Sequence, residues 1–165
     1  EKDINPLIIN CPDIFIPDSF KPFINSLVHI FRNCVDHGIE NIEKRIELNK
    51  PYEGTITCNV KNENNNIEIV ISDDGKGIDE EEIKRLSILK NIYTEDQVNN
   101  LTKDEILFII FKDAFSTAKN ITNISGRGVG LASIIKELNK LNGTIQIDNN
   151  FGYGVKFTFN IPYLL

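Results

Sequence analysis

Residues 18–37 restrict the fold more than any other segment, because they predict an amphipathic helix with one face that must be covered. Asp18 and Ser19 are both good N-caps, and Gly38 is a typical helix stop. At about 100° per residue, the large apolar side chains of this segment share one side. They are Phe20, Phe23, Ile24, Leu27, Phe31 and Cys34. Such a side packs against a sheet or another helix, so the segment predicts a folded core.

The opposite side of this helix gathers His29, Asn33, Asp36 and His37, which include both histidines of the chain. Solvated helix faces usually carry Lys and Glu four residues apart, and this side carries no such pair. As a functional surface it could hold Mg²⁺ through the amide oxygen of Asn33, with His29 as a general base near neutral pH. Zinc fits less well, because no third nitrogen or sulfur ligand lies at a recognisable spacing. An ordinary solvated face stays open as the alternative.

The whole chain predicts a mixed, mostly antiparallel sheet that is covered by helices on one face. A short apolar stretch at residues 7–10 predicts an edge strand, and alternating patterns predict strands at residues 55–61 and 67–73. Residues 144–148 and 155–161 predict a last hairpin. Further helices are predicted at residues 41–48, 79–91, 96–100, 102–111 and 128–141. Residues 115–125 have no clear period and predict a mobile loop. Since no linker or repeat interrupts the chain, we expect one domain over residues 1–165, cut from a longer protein because residue 1 is not Met.

Charge and composition exclude several classes of function. The chain has 18 Lys and Arg against 24 Asp and Glu, a net charge of −6, which argues against a nucleic-acid surface. The longest apolar run is six residues (106–111), far short of the roughly 20 that span a membrane. Three widely spaced cysteines (Cys11, Cys34 and Cys58) indicate a reduced, cytoplasmic protein with structural thiols.

A glycine-rich turn at residues 73–79 follows a predicted strand and precedes a predicted helix. Gly75 and Gly77 allow another molecule to approach the backbone closely. The carboxylate of Asp73 only accepts hydrogen bonds, which suits an exocyclic amine such as that of adenine. An ordinary Asp-Gly turn is the alternative.

A second glycine-rich segment at residues 125–130 has three alternating glycines that lead directly into a helix. Free amide groups at a helix N-terminus attract phosphate, although the pattern is neither a P-loop nor a Rossmann motif. A flexible hinge is the alternative here. The third such segment, Gly152-Tyr153-Gly154, is by itself a hairpin turn.

In this order and at this spacing, the motifs resemble the ATP-binding domain of the GHKL superfamily, and most closely that of the CheA-type chemotaxis histidine kinases. The resemblance covers almost the whole chain. Its N box corresponds to residues 27–40, its G1 box to 73–79, its F box to 111–117, its G2 box to 125–131 and its closing hairpin to 143–162.

The resemblance implies a two-layer α/β sandwich that binds Mg²⁺-ATP between sheet, helices and a lid. Asp73 would accept the adenine amino group, Asn33 would ligate Mg²⁺, and His29 would orient or deprotonate the acceptor imidazole. The other ligand-binding residues implied are Gly75, Gly77 and Ile78 at the base and ribose, Asp36 and His37 beside the metal and phosphates, Phe115, Ser116 and Thr117 in the lid, Ser125, Gly126, Arg127, Gly128, Val129, Gly130 and Leu131 at the phosphates, and Thr158 on the adenine side.

The implied reaction transfers the γ-phosphate of ATP to a histidine nitrogen. Both histidines lie in the N box, so the acceptor must come from a histidine phosphotransfer domain in the same or another chain, with a response regulator downstream. Such kinases dimerise through a separate domain, so we expect this piece to be monomeric.

Three alternatives remain at this point. They are another GHKL enzyme, such as an ATPase or a serine kinase, a degenerate nucleotide-binding module that signals by shape, and a plain structural domain with coincidental glycine turns. Some residues also depart from the family's pattern. Val155 stands where Thr is common, and Glu80, Glu81 and Glu82 make the turn after the G1 box acidic, which would weaken nucleotide binding.

Overall fold

The domain is built on one five-stranded sheet, seen in a computed structural model that describes residues 1–115 and 130–163. The strands are β1 (Ile8–Asn10), β2 (Ile56–Glu63), β3 (Asn66–Asp73), β4 (Thr144–Asn150) and β5 (Gly154–Pro162), in the spatial order β1-β2-β3-β5-β4. Only the β1–β2 pair is parallel. The predicted mixed, mostly antiparallel sheet is therefore confirmed, and β1 is the edge strand that the sequence indicates.

Helices cover one face of this sheet, as the sequence predicts. They are α1 (Lys21–Ser26), α2 (Val28–Asn33), α3 (Ile42–Glu47), α4 (Glu80–Leu89), α5 (Glu95–Asn99), α6 (Lys103–Phe108) and α7 (Ala132–Lys140). On β3, Ile67, Ile69 and Ile71 are buried while the residues between them are partly exposed, as one covered face requires. Across the layer, the ring of Phe23 in α1 meets Phe159 of β5 edge to face, with 5.4 Å between ring centroids.

The long helix predicted over residues 18–37 is divided into several segments. It begins as a 3₁₀ turn (Asp18–Phe20), continues as α1 and α2 around Leu27, and ends in a π-helical turn (Cys34–Gly38). The predicted N-caps are wrong, since Pro17 occupies the cap position and the Asp18 carboxylate instead pairs with Lys21 at 2.8 Å. The predicted stop at Gly38 is confirmed.

The helices α3, α4, α5 and α6 begin at side-chain caps that the chain supplies locally. Asn41 accepts a hydrogen bond from the Lys44 backbone N–H before α3, and Asp79 accepts one from Glu82 before α4. Thr94 and Thr102 form complete capping boxes before α5 and α6. Helix α7 begins at Ala132, later than the predicted start at residue 128, because the backbone from Gly130 to Leu131 is still a bend and a turn.

One cluster of buried apolar side chains runs from Phe20 to Tyr163 and joins the helices to the sheet. Two of the three cysteines, Cys34 and Cys58, lie in this cluster, whereas Cys11 is exposed. Among the described residues, no helix is long and apolar enough to cross a membrane. The single-domain organisation of residues 1–165 stays a prediction.

Candidate functional site

A cavity of about 490 Å³ opens between the end of β3, the helices α2 and α4, and the start of β5. Residues from all the predicted motifs meet in it, although they are far apart in the sequence. The predicted site residues that line it are His29, Asn33, His37, Asp73, Gly77, Ile78, Phe115, Gly130 and Leu131. The structure therefore brings together the polar side of the first helix and two of the glycine-rich segments.

Asp73 lies at the inner wall of this cavity, at the end of the central strand β3. Its side chain is 8% exposed, and Oδ1 accepts a hydrogen bond from the Gly75 backbone N–H at 2.9 Å. Oδ2 is buried and has no hydrogen-bond partner among the described residues. Burial raises the pKa of this carboxyl group above its usual range, while its contacts with the Cys34 thiol and the Gly75 N–H oppose that rise. A buried acceptor without a partner calls for a ligand that carries a donor.

The turn after Asp73 needs glycine because another backbone passes directly beside it. A Cβ atom on Gly75 would lie 2.3 Å from the carbonyl oxygen of Gly38, at the end of the N-box helix. Gly75 therefore packs against Gly38 and does not line the cavity, contrary to its predicted place at the base. Gly77 does line the cavity, and its φ of +70° is a conformation that favours glycine.

Asn149 fixes the outer part of this turn, although it is not among the predicted site residues. Its side-chain amide accepts a hydrogen bond from the Ile78 N–H and donates one to the Ile78 C=O, both at 2.8 Å. Next to it, the Gly152 N–H donates to the Lys76 C=O at 2.7 Å. The closing hairpin thus holds the G1 turn in place. Since 71 residues separate Asn149 from Ile78, no local sequence pattern could reveal the contact.

The N-box helix presents three of its four predicted polar residues to the cavity. His29, Asn33 and His37 line it, but Asp36 is exposed and does not. The π-helical turn explains the position of Asp36. The Ile39 N–H donates a hydrogen bond to the Cys34 C=O at 2.8 Å, so this turn is wider than a turn of the predicted α-helix. The backbone carbonyl of Asp36 instead accepts a hydrogen bond from Lys2.

Two titratable side chains of this helix have shifted pKa values. Partial burial, followed by the charge of Arg32, lowers the pKa of His29 below its usual 6.5, so the imidazole is neutral at pH 7. Burial and the neighbouring Asp73 carboxylate raise the pKa of the Cys34 thiol. Cys34 therefore stays protonated and unreactive beside Asp73.

Phe115 is the last described residue before the second glycine-rich segment, and it lines the cavity. Lys90 donates a hydrogen bond to its carbonyl oxygen at 2.7 Å and lies 5.4 Å from the centre of its ring. Gly130 and Leu131, at the C-terminal end of that segment, also line the cavity. The other predicted lid and phosphate residues lie outside the described residues, namely Ser116, Thr117, Ser125, Gly126, Arg127, Gly128 and Val129.

Thr158 does not line the cavity, so the structure gives no support to its predicted place on the adenine side. Side chains alternate along β5, so Val155 and Phe157 are buried and line the cavity while Thr158 points to the opposite face of the sheet. Thr158 pairs there with Val70 of β3 and Gln146 of β4. Val155, which the sequence analysis noted only as a departure from the family, occupies the inward position.

A sequence profile for the family described as "Histidine kinase-, DNA gyrase B-, and HSP90-like ATPase" matches residues 24–165. The chain belongs to this family. The sensor histidine kinase CheAY of Helicobacter pylori is 45% identical over 139 residues, which make up 84% of this chain and 17% of that protein. The chemotaxis protein CheA of Borreliella burgdorferi is 42% identical over 142 residues, 86% of this chain and 16% of that protein. The chain thus spans about a sixth of the length of these curated relatives.

Solved structures support the fold independently. The mycobacterial sensor histidine kinase MprB superimposes with a TM-score of 0.54 at 17% identity, covering 94% of this chain and 78% of that one. The shared architecture confirms the predicted two-layer α/β sandwich.

The cavity fits the adenine nucleotide of an ATP-binding family. Asp73 offers a buried, unpartnered oxygen to an amino group, and the apolar side chains of Ile78, Val155 and Phe157 provide walls for a planar base. The polar residues Asn33 and His37 line the part of the cavity contributed by the N-box helix. The apolar wall of Ile78, Val155 and Phe157 thus suits a base, and the wall formed by the N-box helix can take part in binding charged groups.

Proposed function

We propose that this domain is the catalytic domain of a CheA-like histidine kinase, which binds Mg²⁺-ATP and transfers its γ-phosphate to a histidine of another domain or chain. The observation that carries the proposal is the buried, unpartnered Oδ2 of Asp73 at the wall of a cavity that Asn33 and His29 also line. The sequence similarity to CheA and CheAY supports the same reaction.

Asn33 is the residue that would hold Mg²⁺. Among the described residues, no group of three or more His, Cys, Asp and Glu side chains forms a metal site. Mg²⁺ does not need such a group, because it prefers one or two protein oxygens together with phosphate oxygens and water. The amide oxygen of Asn33 meets that requirement, and the bound ion would neutralise charge on the phosphates. His37 would lie beside the phosphates, and the G2-box residues 125–131 would hold them.

His29 would act on the acceptor imidazole. Phosphoryl transfer depends mainly on positioning and on electrostatic stabilisation, so a base contributes by orienting the acceptor imidazole and taking the proton from its second ring nitrogen while the first, unprotonated nitrogen attacks the γ-phosphate. A neutral imidazole can do this, and the lowered pKa of His29 keeps it neutral at pH 7. His29 and Asn33 lie one helical turn apart on the same wall of the cavity.

We expect the isolated domain, incubated with ATP labelled in the γ-phosphate, to form almost no phosphohistidine, because both of its histidines belong to the cavity wall. Adding a separate histidine phosphotransfer domain from the parent protein should produce acid-labile label on that domain. Loss of this label with Asn33→Ala would tie the transfer to the cavity. Strong acid-labile labelling of the isolated domain, or ATP hydrolysis with no transfer to any acceptor, would contradict the proposal.

The rate of phosphotransfer should also depend on the protonation of His29. Since burial lowers the pKa of His29 below 6.5, the rate should be constant near neutral pH and fall only when the pH drops below that value. A His29→Ala variant should lose most of the rate and also the inflection. The measurement is a single-turnover pH profile between about pH 5 and 8. An unchanged inflection in the His29→Ala variant would show that another group is responsible.

The remaining expectations follow from the same proposal. The downstream partner would be a response regulator, and the domain by itself would be a monomer that binds no nucleic acid. The relatives' chemotaxis roles make a cytoplasmic signalling pathway the natural setting. Of the alternatives, a degenerate binding module would bind nucleotide but transfer nothing, and a GHKL ATPase would hydrolyse ATP without a histidine acceptor.

A further inference from the structure

A buried cluster of charged side chains lies behind the G1 turn and outside the cavity. At its centre, Arg45 of α3 is completely buried. Its guanidinium group donates to the carbonyl oxygens of Pro51 (2.6 Å) and Glu53 (3.1 Å). It also pairs with the carboxylates of Glu40 (3.1 Å) and Asp74 (2.9 Å). Arg45 therefore ties the end of the N box to the residue that follows Asp73.

Lys50 completes the cluster and reaches the turn itself. Its ammonium group pairs with Glu40 at 2.7 Å and donates to the carbonyl oxygens of Asp74 (3.0 Å) and Gly75 (2.8 Å). Only 12% of the Lys50 side chain is exposed. From the other side, Asp74 Oδ1 accepts a hydrogen bond from the Thr55 N–H at 2.9 Å. Several hydrogen bonds within the protein thus hold the backbone on the C-terminal side of Asp73, and none of them depends on a ligand.

Asp73, between this cluster and the cavity, is the one carboxylate here that has no ion-pair partner among the described residues. Three carboxylates (Glu40, Asp73 and Asp74) and two cations (Arg45 and Lys50) meet here, so three minus two leaves one negative charge. Both cations pair with Glu40, and Arg45 also pairs with Asp74, whereas Asp73 has no ion-pair partner among the described residues. The negative charges of Asp74 and Glu40 act on Asp73, so neutralising them favours its ionised, hydrogen-bond-accepting form.

We propose that Arg45 and Lys50 are positioning residues for base recognition: they hold the Asp73–Gly75 turn and neutralise its neighbouring carboxylates, and so set the selectivity for a purine with an exocyclic amino group. The inference rests on the proposed nucleotide-binding function. Neither side chain touches the cavity. Their effect is to keep one carboxylate oxygen fixed, charged and free for the ligand.

The test compares the binding of ADP with that of inosine diphosphate, which carries an oxygen in place of the amino group. Arg45→Met removes a completely buried charge and is expected to unfold the domain, so the chosen variant is Lys50→Met. We expect wild type to prefer ADP, and Lys50→Met to weaken ADP binding about tenfold while changing inosine diphosphate binding less than about threefold. Lys44→Met is the matched control, because Lys44 lies on α3 beside Arg45, in an exposed pair with Glu47, and should change neither.

Each outcome decides a separate question. Equal weakening of both nucleotides would mean that the cluster only supports the fold, and unchanged binding would mean that the turn needs no support; either result overturns the inference. Circular dichroism checks that Lys50→Met is folded. If it is not, Lys50→Gln, which removes the same charge but keeps a polar side chain at this position, carries the same comparison. A wild-type domain that does not bind ADP would overturn the proposed function before any substitution is made.

Discussion

Replacing Asp73 with asparagine is expected to make the ligand-free domain more stable and to weaken its nucleotide binding strongly. Burial raises the pKa of the Asp73 carboxyl group, which means that its charged form destabilises the folded state. An amide of the same shape removes that penalty, so we expect the free energy of unfolding to rise by about 1 kcal/mol, or the Tm by roughly 3 °C. The difference should shrink as the pH falls toward the unfolded pKa near 3.8, because Asp73 is then protonated in both states.

The same substitution should weaken ADP binding by roughly 10²–10³-fold. Asparagine can still accept the Gly75 N–H with its oxygen, but its NH₂ group then replaces Oδ2 and faces the adenine amino group, donor against donor. Thermal unfolding with and without ADP measures both effects. A variant that is less stable than wild type, or that ADP still stabilises, would contradict the role given to Oδ2.

Replacing Asn33 with alanine should remove phosphotransfer while leaving the base contacts intact. Without the amide oxygen, the metal loses its one proposed protein ligand, so we expect the transfer rate to fall about 100-fold or more. ADP binding without Mg²⁺ should stay within about threefold of wild type, and its tightening by Mg²⁺ should disappear. Calorimetry and a single-turnover transfer assay measure the two quantities.

Two further variants make the Asn33 result specific. Asn33→Asp keeps an oxygen ligand and should retain part of the Mg²⁺ effect, whereas Asn62→Ala, at an exposed position of β2, should change nothing. If Asn33→Ala retained full Mg²⁺ dependence and full transfer, the metal would be held elsewhere. If wild type transferred nothing, the degenerate-module alternative would be favoured.

Local patterns in the sequence were sufficient for most of the fold. The alternation of Ile67, Ile69 and Ile71 predicts a strand with one buried face, and Asn41 and Asp79 predict helix starts that the structure confirms. Asp36 and Thr158 do not line the cavity, for two different reasons. The π-helical turn turns Asp36 away from the cavity, and the period of two along β5 turns Thr158 to the other face.

The sequence motifs predicted residues that line the candidate site, but they did not predict the residues that hold those in place. Asp73, Asn33 and His29 belong to patterns whose residues are close in sequence. Asn149 and Arg45 act through contacts with residues 71 and 29 positions away, and only the fold creates those contacts. A polar residue of this kind carries no local signal, because an Asn in a turn or an Arg on a short helix has an ordinary surface role in most proteins.

The most direct test of the nucleotide site is a calorimetric titration of the purified domain with ADP, with and without Mg²⁺. The account predicts saturable binding of one ADP per domain that tightens when Mg²⁺ is added and disappears in Asp73→Asn. No binding by wild type at millimolar ADP, or equal binding by wild type and Asp73→Asn, would contradict it.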